Sequence, residues 1–283
     1  METPSRGTIA YPPMQPRLLE RYLGLLGARR RRPDGAALSE LVQAHLCRVP
    51  FENVSKLYHK KRLGLMNVPS LELFLDGIEH HNFGGTCYAN NYYFYQLLAN
   101  LGFRVMLCSA DMASPGVHMV TMVDLEEREY LLDVGYAAPF VTPLPRDLPG
   151  DYVVSLGRDR YVLKPRDAAG RSRVELFRDG TLKHGYVAKP EPRQLGDFEA
   201  VIGASYRAEA TFMNALLLAR FCPDRSVIIH NLSVLEPHGT EVSVRTLASR
   251  AELVQAIWEC FGIAPQLTHE VVHELGRLED AWL

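Results

Sequence analysis

The segments Phe83-Gly84-Gly85-Thr86-Cys87, Val117-His118 and Leu131-Leu132-Asp133-Val134-Gly135 supply a thiol, an imidazole and a carboxylate. These are the groups needed to make a thiolate nucleophile, hold a base against it and fix the orientation of that base. The chemistry they would support is acyl transfer through a covalent cysteine intermediate. A lone cysteine is more often a small buried hydrophobe, so the surroundings of Cys87 carry the reading. Tyr88 to Ala99 has helical length and an apolar face through Tyr88, Tyr92, Tyr95, Leu98 and Ala99. The thiol is thereby expected at a helix N-terminus, where unpaired N–H groups and the macrodipole favour an anion and lower a thiol pKa. Gly84 and Gly85 allow unusual backbone angles and the close approach of a substrate.

The other two groups are placed by hairpin arithmetic. Val117 to Val123 and Glu129 to Val134 read as strands, with the polar Asp124-Leu125-Glu126-Glu127-Arg128 as a tight connection. A turn centred between Leu125 and Glu126 sets His118 opposite Asp133, with Cβ atoms roughly 4.5–5.5 Å apart. A centre displaced by one residue leaves the two diagonal on the same face. Asp133 lies in an apolar run, where an unpaired carboxylate is costly, and a cross-strand imidazole answers that need. A purely structural His–Asp pair remains the alternative until Cys87 is included.

A chain of 283 residues, 47% hydrophobic, buries a large core and exceeds the usual single domain enough to expect roughly two or three packed subdomains. The first hundred residues read mainly as helix: Pro16 to Leu26, Ala37 to Cys47, Ser70 to Ile78 with Ser70 as N-cap, and the helix after Cys87. From Phe103 to about Val187 the pattern becomes short strands: Arg104 to Cys108, the His118/Asp133 hairpin, Tyr152 to Leu156, Tyr161 to Lys164, Val174 to Phe177 and Thr181 to Val187. An antiparallel sheet or small barrel follows. The tail mixes helices near Phe198 to Ala219 and Ala251 to Cys260 with strands at Ser226 to Leu235 and Glu241 to Val244.

The net charge of −2 gives no global bias toward nucleic acid, and Arg29 to Arg32, beside Pro33-Asp34-Gly35, reads as a solvated inter-helix turn. Cys47, Cys87, Cys108, Cys222 and Cys260 form no CxxC pair, a pattern that fits reduced thiols in a cytoplasmic enzyme. Met1 to Gly7 leads into Tyr11-Pro12 without the apolar region of a secretion signal. No apolar run reaches the roughly 20 residues that span a bilayer.

One motif competes. His269-Glu270-Val271-Val272-His273 is a literal H-E-x-x-H, which on a helix sets two imidazoles on one face for zinc with Glu270 as general base. A third ligand would have to come from Glu274, Glu279, Asp280 or upstream. The alternative is a charged amphipathic C-terminal helix with Val271 and Val272 facing inward, and no metal is expected.

In order and local sequence the chain resembles the arylamine N-acetyltransferase family. Gly84-Gly85-Thr86-Cys87 with Asn91, then His118, then Asp133-Val134-Gly135-Tyr136 follow the family pattern. Pro50-Phe51-Glu52-Asn53 upstream, Pro139 and Pro143-Leu144 downstream, and Thr211-Phe212-Met213-Asn214 extend the match. Two departures stand out. The family usually has Arg before the paired glycines, where it meets the Glu of Pro-Phe-Glu-Asn; here Phe83 stands there beside an intact Glu52. The family's glycine after the aromatic is Ala137.

The resemblance implies an α+β fold: an N-terminal helical bundle, a central antiparallel β-barrel and a C-terminal α/β lid, with a papain-like Cys-His-Asp triad. The corresponding domains are 1–102, carrying the nucleophile; 103–197, carrying the imidazole and carboxylate; and 198–283, an interdomain helix with the lid. It further implies acetyl transfer from acetyl-CoA to an arylamine, hydrazine or N-hydroxyarylamine, with Cys87, His118 and Asp133 catalytic. Phe51 and Tyr136 would wall the acceptor pocket, and Ser114, Gly116 and Asn214 would lie near the coenzyme. An amide synthase or another acyltransferase of the same family with a different acyl donor is the alternative, as is a Cys-His-Asp hydrolase. The two departures predict a reshaped pocket and weaker activity on simple arylamines. Oligomeric state and natural acceptor are not specified by the sequence.

Overall fold

The computed structural model describes residues 13–276 and 278. The sequence readings on Met1 to Gly7, on Tyr11-Pro12 and on Glu279 and Asp280 lie outside them. Five helices and a two-residue strand come first: α1 (Pro16–Leu26), α2 (Gly35–Arg48), β1 (Phe51–Glu52), α3 (Val54–Leu63), α4 (Leu71–His81) and α5 (Cys87–Asn100). Eight strands follow, β2 (Arg104–Asp111), β3 (His118–Leu125), β4 (Arg128–Leu132), β5 (Leu144–Pro145), β6 (Tyr152–Leu156), β7 (Asp159–Leu163), β8 (Ser172–Arg178) and β9 (Thr181–Pro192). The remainder comprises α6 (Glu199–Ala204), α7 (Thr211–Asn214), β10 (Leu217–Phe221), β11 (Ser226–His230), β12 (Ser233–His238), β13 (Glu241–Thr246), α8 (Arg250–Phe261) and α9 (Pro265–Val272).

The central strands form one antiparallel sheet in the order β5-β4-β3-β2-β9-β8-β7-β6, nearly closed into a barrel. A second sheet, β1-β10-β11-β12-β13, draws its first strand from the helical region, so Phe51 and Glu52 pair with Ala219 and Leu218. The fold is thus α+β with the expected bundle, barrel and lid in order. Among the described residues no helix is long and apolar enough to cross a membrane.

Sequence signals explain the bundle. Pro16 opens α1 and Gly27 closes it in the left-handed region at φ 66°. Asp34 and Ser70 accept hydrogen bonds from the N–H groups of Ala37 and Leu73, capping α2 and α4. One expectation changes at α5. It is buried on nearly every side, including Asn90 and Asn91, because the bundle core covers Phe94 and Leu97 while Leu107 and Met119 of the barrel cover Tyr88 and Tyr95. A helix clasped between two layers has no solvent stripe to show in its periodicity.

The C-terminal third corrects two further readings. The helix expected over Phe198 to Ala219 ends at Ala204, apart from the short α7, and Leu217–Phe221 is a strand paired with β1 and β11. Asn53 holds that segment extended, its Nδ2 donating to the carbonyls of Phe212 and Ala215 and its Oδ1 accepting from Leu217 N. The single strand expected from Ser226 to Leu235 is a hairpin turning at Asn231, whose φ of 49° suits a left-handed turn residue. The expectation of five separate reduced thiols also gives way. Cys47 and Cys222 lie in sulfur–sulfur contact with Cα atoms 5.0 Å apart, leaving Cys87, Cys108 and Cys260 as free thiols. A pairing across 175 positions has no local signature.

Candidate active site

Thr86 is the N-cap of α5 and Cys87 its first residue, so the half-buried thiol sits at the helix N-terminus as expected. Two glycines are needed for this placement. A Cβ on Gly84 would lie 1.9 Å from Pro50 O, and one on Gly135 would lie 2.6 Å from Cys87 Cα and 2.7 Å from Asn91 Nδ2. The first lets the loop before α5 press against the Pro50 segment, and the second lets the barrel touch the backbone of Cys87.

The hairpin turns one residue later than the centred alternative, pairing Leu125 with Arg128 and Thr121 with Leu132. His118 and Asp133 therefore lie diagonally beyond the last ladder pair, and Nε2 of His118 still meets Oδ2 of Asp133 at 2.7 Å. Both residues are 2% exposed. The other carboxylate oxygen accepts from Asn91 Nδ2 at 2.8 Å and from Gly135 N at 3.1 Å. Asn91 also donates to Met119 O and accepts from Val134 N, locking α5 onto both strands of the hairpin. Burial pulls the His118 pKa down, but the charge and hydrogen bond of Asp133, together with the neighbouring Cys87, push it up to about 10. The imidazole is held protonated at neutral pH.

Cys87 and His118 open onto one cavity of about 510 Å³, where Phe51, Ser114, Tyr136 and Tyr161 are also on the wall. That volume suits a ligand pocket of about 300–1,000 Å³. Phe51 packs edge-on against Phe212, and Tyr136 lies beside His118 while its hydroxyl meets His184 Nδ1 at 2.7 Å. Asp133 stands behind His118. Gly116 and Asn214 are not on the wall: Gly116 N donates to Asp111, and the Asn214 amide turns back to the carbonyls of Ala208 and Ala210.

Sequence reasoning gave no role to the buried asparagines that fix the frame. Asn91 was visible only as part of a motif, and Asn90, donating to Gly85 O and Pro50 O, not at all. A buried amide near a candidate nucleophile is a usable signal, because it must find partners across elements.

The two departures have structural answers. Phe83 is buried among Tyr58, His59 and His81, with ring centroids 5.3–5.8 Å away. Glu52, fully buried, accepts instead from two backbone donors, Ser55 N at 2.8 Å and Gly84 N at 2.9 Å, and burial raises its pKa. Ala137 takes φ 58°, the left-handed region that costs an alanine about 1–2 kcal/mol. Part of that is offset by the greater unfolded-state freedom of glycine. Ala137→Gly is therefore expected to stabilise the fold by about 0.5–1 kcal/mol. Urea denaturation checks this, and an unchanged or lower midpoint would contradict it.

The H-E-x-x-H segment is differently engaged. Glu270 is gripped by Arg62 through both carboxylate oxygens, and Val271 and Val272 are buried on the inward face. The His269 and His273 rings lie 4.0 Å apart, yet among the described residues no group of three or more His, Cys, Asp or Glu side chains is arranged to hold a metal.

A thiol at a helix N-terminus and a barrel-borne His–Asp pair open onto one cavity, an arrangement of the kind that acyl transfer through a cysteine requires. Comparison with known proteins narrows it. A family model described as N-acetyltransferase matches residues 34–270. The arylamine N-acetyltransferase / N-hydroxyarylamine O-acetyltransferase of Salmonella typhimurium is 29% identical over 243 residues, 79% of this chain and 81% of that protein. Proansamycin X synthase of Amycolatopsis mediterranei is 25% identical over 239 residues, 77% and 86% of the two chains. The fold matches Mycobacterium marinum arylamine N-acetyltransferase, solved in complex with CoA, at a TM-score of 0.76 and 21% identity over 92% of this chain and all of that one. The chain belongs to the arylamine N-acetyltransferase family.

Proposed function

We propose that the protein moves an acetyl group from acetyl-CoA to an arylamine, hydrazine or N-hydroxyarylamine by a ping-pong route through Cys87. The observation that carries this reading is the meeting of Cys87 with the 2.7 Å His118–Asp133 pair at one cavity. The Cys87 thiolate attacks the thioester carbonyl, the carbon–sulfur bond to CoA breaks, and the departing CoA sulfur takes the proton of the His118 imidazolium. The acceptor amine then attacks the acetyl-cysteine. His118, now neutral, removes the amine proton as the carbon–sulfur bond to Cys87 breaks, restoring the thiolate–imidazolium pair. Asp133 keeps the ring oriented and stabilises its charge. Free N–H groups in the first turn of α5 are suited to the oxyanion. Phe51 and Tyr136 would wall the acceptor, and Ser114 would face the coenzyme.

The similarity to proansamycin X synthase, a relative named as a synthase and not as an acetyltransferase, favours a second reading in the same family, an amide synthase or other acyltransferase with a different donor. It uses the same thiol and differs in what fills the cavity. Hydrolysis would need water as the acceptor. The test is intact mass after mixing with acetyl-CoA alone, in the presence of a chelator. One acetyl adduct mapped to Cys87, stable in buffer and discharged by an arylamine, is expected. No adduct would reject the acetyl route, and an adduct lost equally fast without amine would favour hydrolysis.

A further inference from the structure

Among the described residues, Lys56 is the only lysine or arginine on the wall of the cavity that Cys87 opens into. It lies in the first turn of α3 and is 7% exposed. Its Nζ donates to Ser205 O at 2.8 Å and Ser205 Oγ at 2.7 Å, and it sits 4.1 Å from the centroid of the Tyr206 ring. These partners satisfy hydrogen bonds and supply a cation–π contact, but none carries a full negative charge. Among the described residues no carboxylate pairs with Lys56 or with its neighbour Lys60, whose Nζ donates to Tyr206 O. The one carboxylate among the described residues of the same wall, Asp159, is held through both oxygens by Arg178 at 2.6 and 2.7 Å. The cavity is therefore apolar with an uncompensated cation near the nucleophile.

Burying an unpaired charge is costly, and a carboxylate on a molecule bound in the cavity would offset that cost. We propose that Lys56 recognises a carboxylate on the bound substrate, carried by the acyl group or by the acceptor. An acyl chain ending in a carboxylate, or an aminoaryl acid, would supply the counter-charge that Lys56 does not find in Ser205 or Tyr206. The inference rests on Cys87 as the acyl carrier.

The test measures kcat/KM for matched pairs with wild type, Lys56→Met and Lys56→Arg. One arm compares malonyl- and succinyl-CoA with propionyl- and butyryl-CoA, using a neutral arylamine. The other compares 4-aminobenzoate with 4-aminobenzamide, using acetyl-CoA. In one arm the charged-to-neutral ratio is expected to fall about 10–100-fold in Lys56→Met and to be largely kept in Lys56→Arg. The responding arm identifies the source of the carboxylate. Equal losses on every substrate, whether in kcat through the thiolate or in KM through the CoA phosphates, would overturn the proposal.

A second readout uses wild type alone. Burial lowers the Lys56 pKa to about 8, with Cys87 raising it and Lys60 lowering it. The carboxylate preference should fade as pH rises through that value, since the substrate carboxylates stay ionised there, and a constant ratio would also overturn the proposal. Failure of Cys87 to take an acetyl group is a separate result and rejects the underlying reading instead.

Discussion

Cys87→Ser is expected to lower acyl transfer about a thousandfold or more while leaving the unfolding midpoint near wild type. A serine hydroxyl is far less acidic than a thiol, so the imidazolium beside it would face a neutral, poorly nucleophilic oxygen. The fold should tolerate the change because the side chain is small and half-buried at a helix start. The other free thiols are the controls. Cys108 is buried in the barrel core, and burial pushes the Cys260 thiol up, so neither presents a ready thiolate. Steady-state kinetics of the three serine variants, with circular dichroism to check folding, decide the matter. Near-normal turnover in Cys87→Ser, or loss confined to Cys108→Ser, would reject the mechanism.

Asp133→Asn is expected to cost about 10²–10⁴ in kcat/KM, because a neutral amide cannot stabilise the His118 imidazolium. The substitution also turns an acceptor into a partial donor where Asn91 Nδ2 and Gly135 N already point. Breaking such a buried pair should cost about 3–5 kcal/mol of stability near neutral pH. The pH dependence has a definite sign. The folded His118 pKa is raised from the ordinary 6.5 to about 10, so its contribution is complete below about pH 6.5 and disappears as pH rises through about 10. The stability gap between wild type and Asp133→Asn should therefore narrow from pH 6 to pH 10 in urea titrations. A gap that widens with pH would show that His118 is not the stabilised cation.

The local parts of the fold were legible because short-range rules set them. Helix α1, strand β6 and the Ser70 cap follow from proline, alternation and a side-chain hydroxyl at fixed offsets. The helix expected over 198–219 failed because Asn53, more than 150 positions away in sequence, supplies the hydrogen bonds that keep Leu217 extended. Propensity cannot register a partner that arrives from another layer.

The candidate site divides in the same way. By itself the sequence determined which three groups could do thiol chemistry, that Cys87 would start a helix, and that His118 and Asp133 would share a hairpin face, because helix starts and strand periodicity are local properties. Only the tertiary structure decided the one-residue shift of the turn, the closure of barrel on helix through Gly135 and Asn91, and the backbone donors that replace a cation at Glu52. It also decided that Lys56 lines the cavity beside Cys87 while Gly116 and Asn214 do not. These are contacts between layers, fixed by packing and by the need of buried polar groups to find partners, and no spacing along one chain encodes which layer a side chain will meet.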